Sequence, residues 1–347
     1  MKPRFDYIAG TGGVGRGILF LLDGEEILGK NESRLAELTD FQDFCKLHII
    51  LHYTAKLLRR SIPVYPISRV GDDENGRELK RLMIDAGMDV HYLTGDSAKK
   101  TMFAVCFQYP SGEGGNITTS NSACSNVCES DIDRFFESRR PDERGMLLAA
   151  PEVPLGARLH LLKKGRRYGC YNAASLLSTE AGEFVGSGYF SGIDLLSINQ
   201  DEARAILNAA GMAYDEENMA ISCGNYLNSR YPHMAVIITL GRRGSQSFVK
   251  GKAQLVPPVG GKPVSTAGAG DCFLGVVLAC IALGIPLQGA AGADAVDCAV
   301  RLASVAAGLK VTARDTIHFG IDRGSITSFA KQSGLSTVPE IEAILQI

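Results

Sequence analysis

The segment Val264–Gly275 carries the residues whose types and spacing most clearly suggest chemistry. A turn of small residues, Ala267–Gly270, leads directly into Asp271 and then into an apolar run. Small residues let a backbone approach a ligand closely, and the first turn of a helix presents free N–H groups and a positive dipole end. Such a turn can cradle a phosphate or another developing anion, with the acid placed to accept a proton. The same pattern also fits a glycine loop ended by a helix-capping Asp.

Two other segments place polar residues or glycines where a predicted strand ends. Leu195–Ile198 reads as a strand, and Asn199 and Glu202 follow it at the start of a helix. Ala235–Leu240 reads as another strand and runs into the glycine turn Gly241–Gly244. Ligands of parallel α/β sheets gather at the carboxyl ends of strands, so these segments are candidate binding residues. Each could also serve only to complement a helix dipole or to turn a hairpin.

A third glycine-rich segment, Gly10–Gly15, matches the G-x-G-x-x-G pattern after a short predicted strand. That pattern is typical of dinucleotide-binding turns when a full helix follows it. Here the next run, Arg16–Leu22, is short and ends at the turn signal Asp23-Gly24. The context therefore favours a substrate pocket or a plain loop over a dinucleotide site.

The segment Leu35–Arg60 is predicted to be one long helix that carries Lys46, His48 and His52. The two histidines are four residues apart and would share one helix face. An H-x-x-x-H pair can bind zinc, but the Glu beside the first His that a metalloprotease needs is missing. We therefore expect these histidines at the surface or lining a pocket.

The rest of the chain alternates strand-like and helix-like segments, which predicts an α/β fold: a doubly wound, mainly parallel sheet with helices on both faces. A hairpin formed by 101–109 and 116–119 interrupts this rhythm, either as a small lid over a cleft or as an extension of the sheet. The further candidate strands are Tyr7–Ala9, Val64–Ser68, Val90–Leu93, Met146–Ala149, Tyr168–Tyr171 and Ser245–Val249, and the candidate helices include Cys272–Leu283 and Ala290–Leu309.

Composition narrows the function classes. The 347 residues are 45% hydrophobic and 21% charged, with a net charge of −2, which gives no reason to expect a nucleic acid or an anionic membrane as partner. We expect one domain over residues 1–347, without a membrane span or signal peptide. The nine cysteines include no C-x-x-C pair, which favours reduced thiols in a cytoplasmic protein.

In combination, the motifs resemble the ribokinase-like (PfkB) carbohydrate kinases over nearly the whole chain. In such a fold the hairpin after Thr101 corresponds to lid strands, which places lid segments at about 11–30 and 98–120. The matching motifs are Val70-Gly71-Asp72-Asp73-x-x-Gly76, Asn199-x-x-Glu202, Thr239-Leu240-Gly241-x-x-Gly244 and Thr266-x-Gly268-Ala269-Gly270-Asp271-x-Phe273.

The resemblance implies a ribokinase-like fold, the cofactors ATP and Mg²⁺, and a role for each motif. Asp271 would be the base that activates a substrate hydroxyl, and the backbone of Gly268, Ala269 and Gly270 would stabilise the transferring phosphoryl group. Asn199 and Glu202 would organise Mg²⁺ through water. The nucleotide would lie along Thr239, Gly241, Gly244 and Thr266, with adenine near 305–317.

The departures from the family pattern concern the cation and the substrate. Ser265 stands where family members usually have Asp, a position tied to a monovalent-cation site, so monovalent-cation dependence stays open. The family's Gly-Gly-x-x-x-Asn substrate motif, expected near Leu47–His52, is absent. We expect a more cationic substrate pocket and an acceptor that is acidic, phosphorylated or not a simple sugar. Its residues would be Arg16, Arg34, Lys46, His48 and His52.

The sequence thus favours an ATP-dependent kinase that phosphorylates a hydroxyl of a small carbohydrate-like molecule. Two alternatives stay open: a catalytically weak relative that senses a metabolite or nucleotide, and an NAD(P)-binding oxidoreductase. The expected partner is a small-molecule substrate, with a homodimer through the lid strands as a further possibility, because an exposed sheet edge invites pairing.

Overall fold

The computed structural model describes residues 4–27, 29–111, 114–140, 142–260, 263–290, 292 and 294–346. The strands are β1 Tyr7–Thr11, β2 Gly15–Leu22, β3 Ala36–Leu38, β4 Asp43–Phe44, β5 Val64–Gly71, β6 Leu93–Asp96, β7 Met102–Gln108, β8 Gly114–Thr118, β9 Gly145–Ala149, β10 Tyr171–Ala174, β11 Leu195–Asn199, β12 Ala235–Thr239, β13 Ser245–Val249, β14 Lys252–Val256, β15 Ala295–Val296 and β16 Ser336–Thr337.

The α-helices are α1 Lys46–Leu58, α2 Glu74–Asp85, α3 Glu129–Glu137, α4 Leu155–Arg167, α5 Ala181–Ser187, α6 Gln200–Ala209, α7 Met219–Arg230, α8 Ala269–Ala282, α9 Ala299–Lys310, α10 Arg323–Gln332 and α11 Pro339–Gln346. Short 3₁₀ turns lie at Ala123–Asn126, Ser178–Glu180, Tyr189–Gly192, Glu216–Asn218 and Gly241–Arg243.

Nine strands form one sheet in the order β14-β13-β12-β11-β10-β9-β1-β5-β6. The pairs from β12 to β6 are parallel, whereas β13 and β14 are joined to the edge in antiparallel fashion. The strand order reverses around β1, which pairs with β9 on one side and β5 on the other. The predicted doubly wound, mainly parallel sheet is confirmed.

Helices cover both faces of this sheet, as the alternation of buried residues along β1 shows. Ile8 belongs to a core with residues of α1, α8 and α9, whereas Tyr7 and Ala9 pack against α3 and α4. Helix α8 is buried on all sides because it is apolar around its whole circumference. A Cβ on Gly275 would lie 2.4 Å from the Ile50 carbonyl oxygen, so α1 and α8 approach each other closely at this glycine. This contact brings the first turns of α1 and α8 to the same edge of the sheet.

A second, separate sheet has the order β3-β2-β7-β8, with β4 also paired to β2. The predicted hairpin is the antiparallel pair β7–β8 in this sheet, so the alternative that it extends the main sheet is wrong. The glycine segment Gly10–Gly15 runs from β1 directly into β2. Because a strand follows it instead of a helix, the dinucleotide-binding alternative lacks the helix N-terminus that it requires.

Several predicted element bounds are wrong for identifiable reasons. The helix predicted over Leu35–Arg60 comprises only α1, because the residues before it pair with β2 as β3 and β4. The helix predicted from Ala290 begins at Ala299, and Val90 precedes its strand, β6. Strand β10 begins only at Tyr171, since Gly169 ends α4 with a left-handed φ of 66°.

Among the residues that the structure describes, no helix has the length and apolar character needed to cross a bilayer. The nine cysteines are all unpaired, and Cys128 is the exposed one.

Candidate active site

The first turn of α8 presents a set of backbone N–H groups toward a cleft. Gly268 caps this helix with a φ of 75°, and a Cβ at this position would lie 2.4 Å from the Thr316 carbonyl oxygen, so only glycine fits. The Ala269 N–H donates to the Thr266 carbonyl at 3.2 Å. Within the described ranges, the N–H groups of Gly268, Gly270 and Asp271 donate to no protein acceptor. Three free donors at a helix N-terminus form a cradle that can accept an anion.

The Asp271 carboxylate lies in the same turn and is partly buried. Burial raises its pKa to about 6, with Glu202 and Asp43 adding to the increase and Lys46 opposing it. A carboxylate with a pKa near the working pH can accept a proton from an incoming group and release it again. The chemistry available here is therefore general-base catalysis beside an anion cradle.

Lys46, the first residue of α1, places a cation among several carboxylates. Its Nζ lies 3.5 Å from Glu202 Oε1, and its backbone N–H donates to Glu152 Oε2 at 3.0 Å. Burial lowers the pKa of this lysine, but Asp271, Glu202 and Glu152 outweigh burial and raise it overall. Lys46 thus stays protonated, and it lines the same cavity as Asp271.

Glu152 is a candidate functional residue that the sequence analysis missed. It follows β9 and adopts a left-handed φ of 74°, which is rare for a residue with a side chain. A Cβ on Gly13 would lie 2.4 Å from Glu152 Oε2, so this glycine makes room for the carboxylate. Burial raises the pKa of Glu152 to about 7. Its place directly after the predicted strand Met146–Ala149 is the signal that could have identified it.

Asn199 and Glu202 lie at the end of β11 and in the first turn of α6. Asn199 caps α6 by accepting the Glu202 N–H at 2.9 Å, and Glu202 Oε2 accepts the Asn199 N–H at 2.8 Å. This reciprocal capping box fixes the Glu202 side chain, whose other oxygen faces Lys46. Burial raises the pKa of Glu202.

A cavity of about 860 Å³ extends from Asp271 along these strand ends. Gly244, with a φ of 86°, must be glycine because a Cβ would lie 2.1 Å from the Val256 carbonyl oxygen. The cavity has a polar end near Asp271 and an apolar end between the β14–α8 loop and α9. It is lined by the predicted nucleotide residues Asn199, Thr239, Gly241, Gly244 and Thr266, and also by Lys46, Pro258, Val259, Ala269, Gly270, Asp271, Ala307, Gly308 and Val311.

Of the five predicted substrate residues, the structure places only Lys46 in this cavity. Arg16 lies in β2 opposite Phe44. Arg34 donates to Glu32 at 2.7 Å, so its charge is neutralised before β3. The structure does not assemble the expected cationic pocket.

His48 and His52 are buried inside the helical layer, so the expectation that they lie at the surface or line a pocket is wrong. They are 0% and 2% exposed, and their rings pack among Phe44, Tyr53 and Phe319. No ring nitrogen of either residue has a hydrogen-bond partner among the described residues. Burial lowers both pKa values to about 3, so the rings are neutral.

This histidine pair predicts acid sensitivity. Because both pKa values are depressed from 6.5, the unfolded chain binds more protons than the native state between about pH 6.5 and 3. The neutral rings make their full contribution to the free energy of unfolding above about pH 6.5. As the pH falls below this value, each ring lowers the free energy of unfolding by about 1.4 kcal/mol per pH unit. In urea titrations from pH 7 to 5, the variant His48→Leu/His52→Phe should lose less stability than the wild-type chain. Equal losses in both proteins would contradict the prediction.

Comparisons with known proteins agree with this geometry. Residues 162–321 match the profile of the pfkB family carbohydrate kinases. The chain is 23% identical over 278 residues to a ribokinase of Arabidopsis thaliana, covering 78% of this chain and 68% of that protein. It is 27% identical over 235 residues to a fructokinase of Klebsiella pneumoniae, covering 63% and 72%.

Solved structures show the same fold. A ribokinase from Cryptococcus neoformans in complex with ADP superposes with a TM-score of 0.75 at 21% identity, covering 93% of this chain and 99% of that one. A nucleoside kinase from Burkholderia thailandensis in complex with inosine gives a TM-score of 0.72 at 16% identity, covering 94% and 97%.

Proposed function

We propose that this chain, in which residues 162–321 match the pfkB family carbohydrate kinases and whose fold is that of ribokinases, transfers the γ-phosphoryl group of ATP to a hydroxyl of a small carbohydrate-like molecule. The observation that carries this proposal is the first turn of α8. There the Asp271 carboxylate stands beside free N–H donors, with Lys46 facing them and a nucleotide-sized cavity leading away.

Asp271 is the general base in this proposal. Its carboxylate accepts the proton of the acceptor hydroxyl as the oxygen bonds to the γ-phosphorus, and the bond from that phosphorus to the β–γ bridging oxygen breaks to release ADP. The pKa of about 6 leaves Asp271 mostly ionised at neutral pH and basic enough to take the proton. After transfer the proton passes to solvent.

The N–H groups of Gly268, Gly270 and Asp271 neutralise charge on the transferring phosphoryl group, and Lys46 adds a full positive charge. Such preorganised donors are already in place before the reaction, so no reorganisation is needed when charge develops. Phosphoryl transfer depends mainly on this positioning and charge neutralisation.

The acidic residues fit Mg²⁺ held largely through water and phosphate. Among the described residues no group of three or more His, Cys, Asp or Glu side chains could enclose a metal. Mg²⁺ in kinases usually keeps several waters and is bound by one or two carboxylates and by the substrate phosphates. Glu202, with Asn199 beside it, can provide the carboxylate. The bound ion would neutralise charge on the triphosphate.

In this proposal the acceptor binds next to Gly13 and Glu152, whose carboxylate accepts the Lys46 N–H. A carboxylate with a pKa of about 7 can accept hydrogen bonds from hydroxyl groups, and in its protonated form it can also donate one. Glu152 would repel an anionic acceptor, and the single charge of Lys46 is already balanced by the carboxylates of Asp271, Glu202 and Glu152. We therefore favour an uncharged acceptor with several hydroxyl groups.

The second sheet is the lid in this proposal, within a single domain that spans the chain. Strand β2 begins two residues after Gly13, so this sheet starts where the acceptor binds. The sheet and the loops beside it expose apolar side chains, including Leu38 and Ile117, which fits pairing with a second copy. The unpaired cysteines are consistent with a cytoplasmic location.

Ligand-induced thermal shifts test the proposed function directly. ADP or ATP with Mg²⁺ at about 100 times the Kd should add about 2.7 kcal/mol to the free energy of unfolding, whereas NAD⁺ and NADP⁺ should add none. A panel of sugars, polyols and nucleosides with ATP should then reveal ADP production with at least one acceptor. Stabilisation by NAD(P) instead of ATP would contradict the kinase proposal, and nucleotide binding without turnover of any acceptor would indicate a sensor.

A further inference from the structure

Lys310, the last residue of α9, is a buried cation that the proposed mechanism does not use. It is 0% exposed, and its Nζ donates to the backbone carbonyls of Ala267 and, at 3.4 Å, Ser265. In the part of the chain that the structure describes, no carboxylate lies within ion-pair distance, 4.0 Å, of this ammonium group. Backbone oxygens, rather than an acidic side chain, hold the charge.

The surroundings explain how such a charge is tolerated. Burial lowers the pKa of Lys310 to about 8, while the carboxylates of Asp315 and Asp43 oppose the decrease at longer range. The carbonyl end of α9 is the negative end of its dipole, which favours a cation there. A buried ammonium without hydrogen bonds would be strongly unfavourable, so the two loop carbonyls are needed to keep it charged.

These contacts fix the loop that leads into the anion cradle. The carbonyl of Ala267 and the N–H of Gly268 belong to one trans peptide unit and point in opposite directions. Holding the carbonyl on Lys310 therefore turns the Gly268 N–H away from Lys310. The N–H groups of Val264 and Ser265 donate to the Val311 carbonyl at 2.8 and 3.2 Å. The end of α9 therefore holds the loop in two ways, because the Lys310 ammonium donates to loop carbonyls and the Val311 carbonyl accepts from loop N–H groups.

The residues around Ser265 do not fit a free monovalent cation. Ser265 brings no carboxylate, and its Oγ accepts the Ala267 N–H at 3.4 Å. Its carbonyl and that of Ala267, the oxygens that would ligate an ion there, already contact the Lys310 ammonium. A second cation at the same oxygens would meet like-charge repulsion.

We propose that the Lys310 ammonium is a built-in monovalent cation that positions the anion-binding turn of α8, so that the protein works without K⁺ or Na⁺. This inference rests on the proposed function for its catalytic consequence. Its structural part, an ordered loop held by an internal cation, concerns the free protein and can be tested without an acceptor.

The first test uses the wild-type chain. Replacing KCl by tetramethylammonium chloride at constant ionic strength should leave the ADP affinity, the turnover of any accepted substrate and the amide exchange of 264–275 unchanged. A tenfold gain of affinity or turnover with K⁺ would overturn the proposal, because it would show that a free ion is needed.

The second test removes the charge with Lys310→Met, which keeps the length of the side chain, and Lys310→Ala, which leaves space for an ion. Hydrogen bonds to a charged group contribute about 1.5–3 kcal/mol, so amide exchange in 264–275 should rise about tenfold or more in both variants. In Lys310→Ala alone, K⁺ or NH₄⁺ should restore slow exchange and ADP affinity. Lys331→Met, at the end of α10, is the matched control and should behave as wild type.

Two outcomes separate this proposal from the kinase proposal. If Lys310→Ala shows loosened exchange that small cations reverse, the internal cation is supported even when no acceptor is phosphorylated. If both Lys310 variants keep slow exchange and full ADP affinity, or if K⁺ and NH₄⁺ fail to restore Lys310→Ala, the proposal is wrong. If both variants fail to fold, Lys310→Arg replaces them, because it keeps the charge. Its ADP affinity and amide exchange should not depend on K⁺, and a dependence on K⁺ would overturn the proposal.

Discussion

Replacing Asp271 by Asn should lower the turnover number about 10²–10⁴-fold while leaving the nucleotide affinity within a few-fold of wild type. The amide keeps the shape of the carboxylate but cannot accept a proton. The N–H cradle and the cavity are built from the backbone and from other side chains, so they survive the change. Steady-state kinetics with an accepted substrate and calorimetric titration with ADP would measure the two effects separately.

Asp142→Asn is a suitable control, because this carboxylate is exposed in the loop before β9. It removes the same charge from the protein as a whole and should leave turnover unchanged. Full activity in Asp271→Asn would exclude Asp271 as the base. A large loss of ADP affinity would show instead that its charge mainly organises the nucleotide.

The pH dependence gives a second measure of the same role. Since Asp271 must be deprotonated to act as base, turnover should decline below about pH 6, where its carboxylate becomes protonated. The wild-type chain should therefore show an acidic limb in its rate profile, and the residual activity of Asp271→Asn should lack it.

Replacing Lys46 by Met should lower turnover about 10²–10³-fold, the range seen when one preorganised donor to a developing anion is removed. The change also takes a cation away from three carboxylates. Lys46 lowers the pKa values of Asp271 and Glu152, so both should rise in the variant. The acidic limb of the rate profile should consequently move to higher pH, a shift that a loss of packing alone would not produce.

Two variants on the same helix serve as controls for this experiment. Lys46→Arg keeps the charge and should retain the wild-type acidic limb even if turnover falls. Lys56→Met removes a lysine from the last turn of α1, outside the cavity, and should leave the kinetics unchanged. An unshifted pH profile in Lys46→Met would contradict the electrostatic role.

Strand-end patterns in the sequence were sufficient to predict residues that line one cavity of the structure. Asn199 follows one predicted strand, Thr239 lies near the end of another, and Gly270 lies in the turn that begins a predicted helix. The structure brings all three residues to one cavity. Local chemistry decides such features, because glycine turns, caps and strand ends depend on neighbours a few residues away. The same reasoning predicted the α/β class and the family resemblance, which the comparisons confirm.

The substrate side could not be predicted in this way. Helical spacing placed His48 and His52 on one face of a helix but could not show that this face packs against aromatic residues. The bounds of that helix were also wrong, because pairing with β2 overrides local propensity before Lys46. Both errors come from contacts with distant segments, and these contacts decide which side of an element is buried.

By itself, the sequence determined the turn that we propose to be reactive: Gly268, where a side chain would collide with the Thr316 carbonyl, and the acid Asp271 in the same turn. The tertiary structure alone decided the surroundings of this turn. Lys46 approaches Asp271 because α1 packs on α8 at Gly275, Glu152 enters beside Gly13, and Lys310 reaches the loop from the end of α9. The pKa values and charges of the site depend on these long-range approaches, since burial and nearby charge are properties of the folded chain.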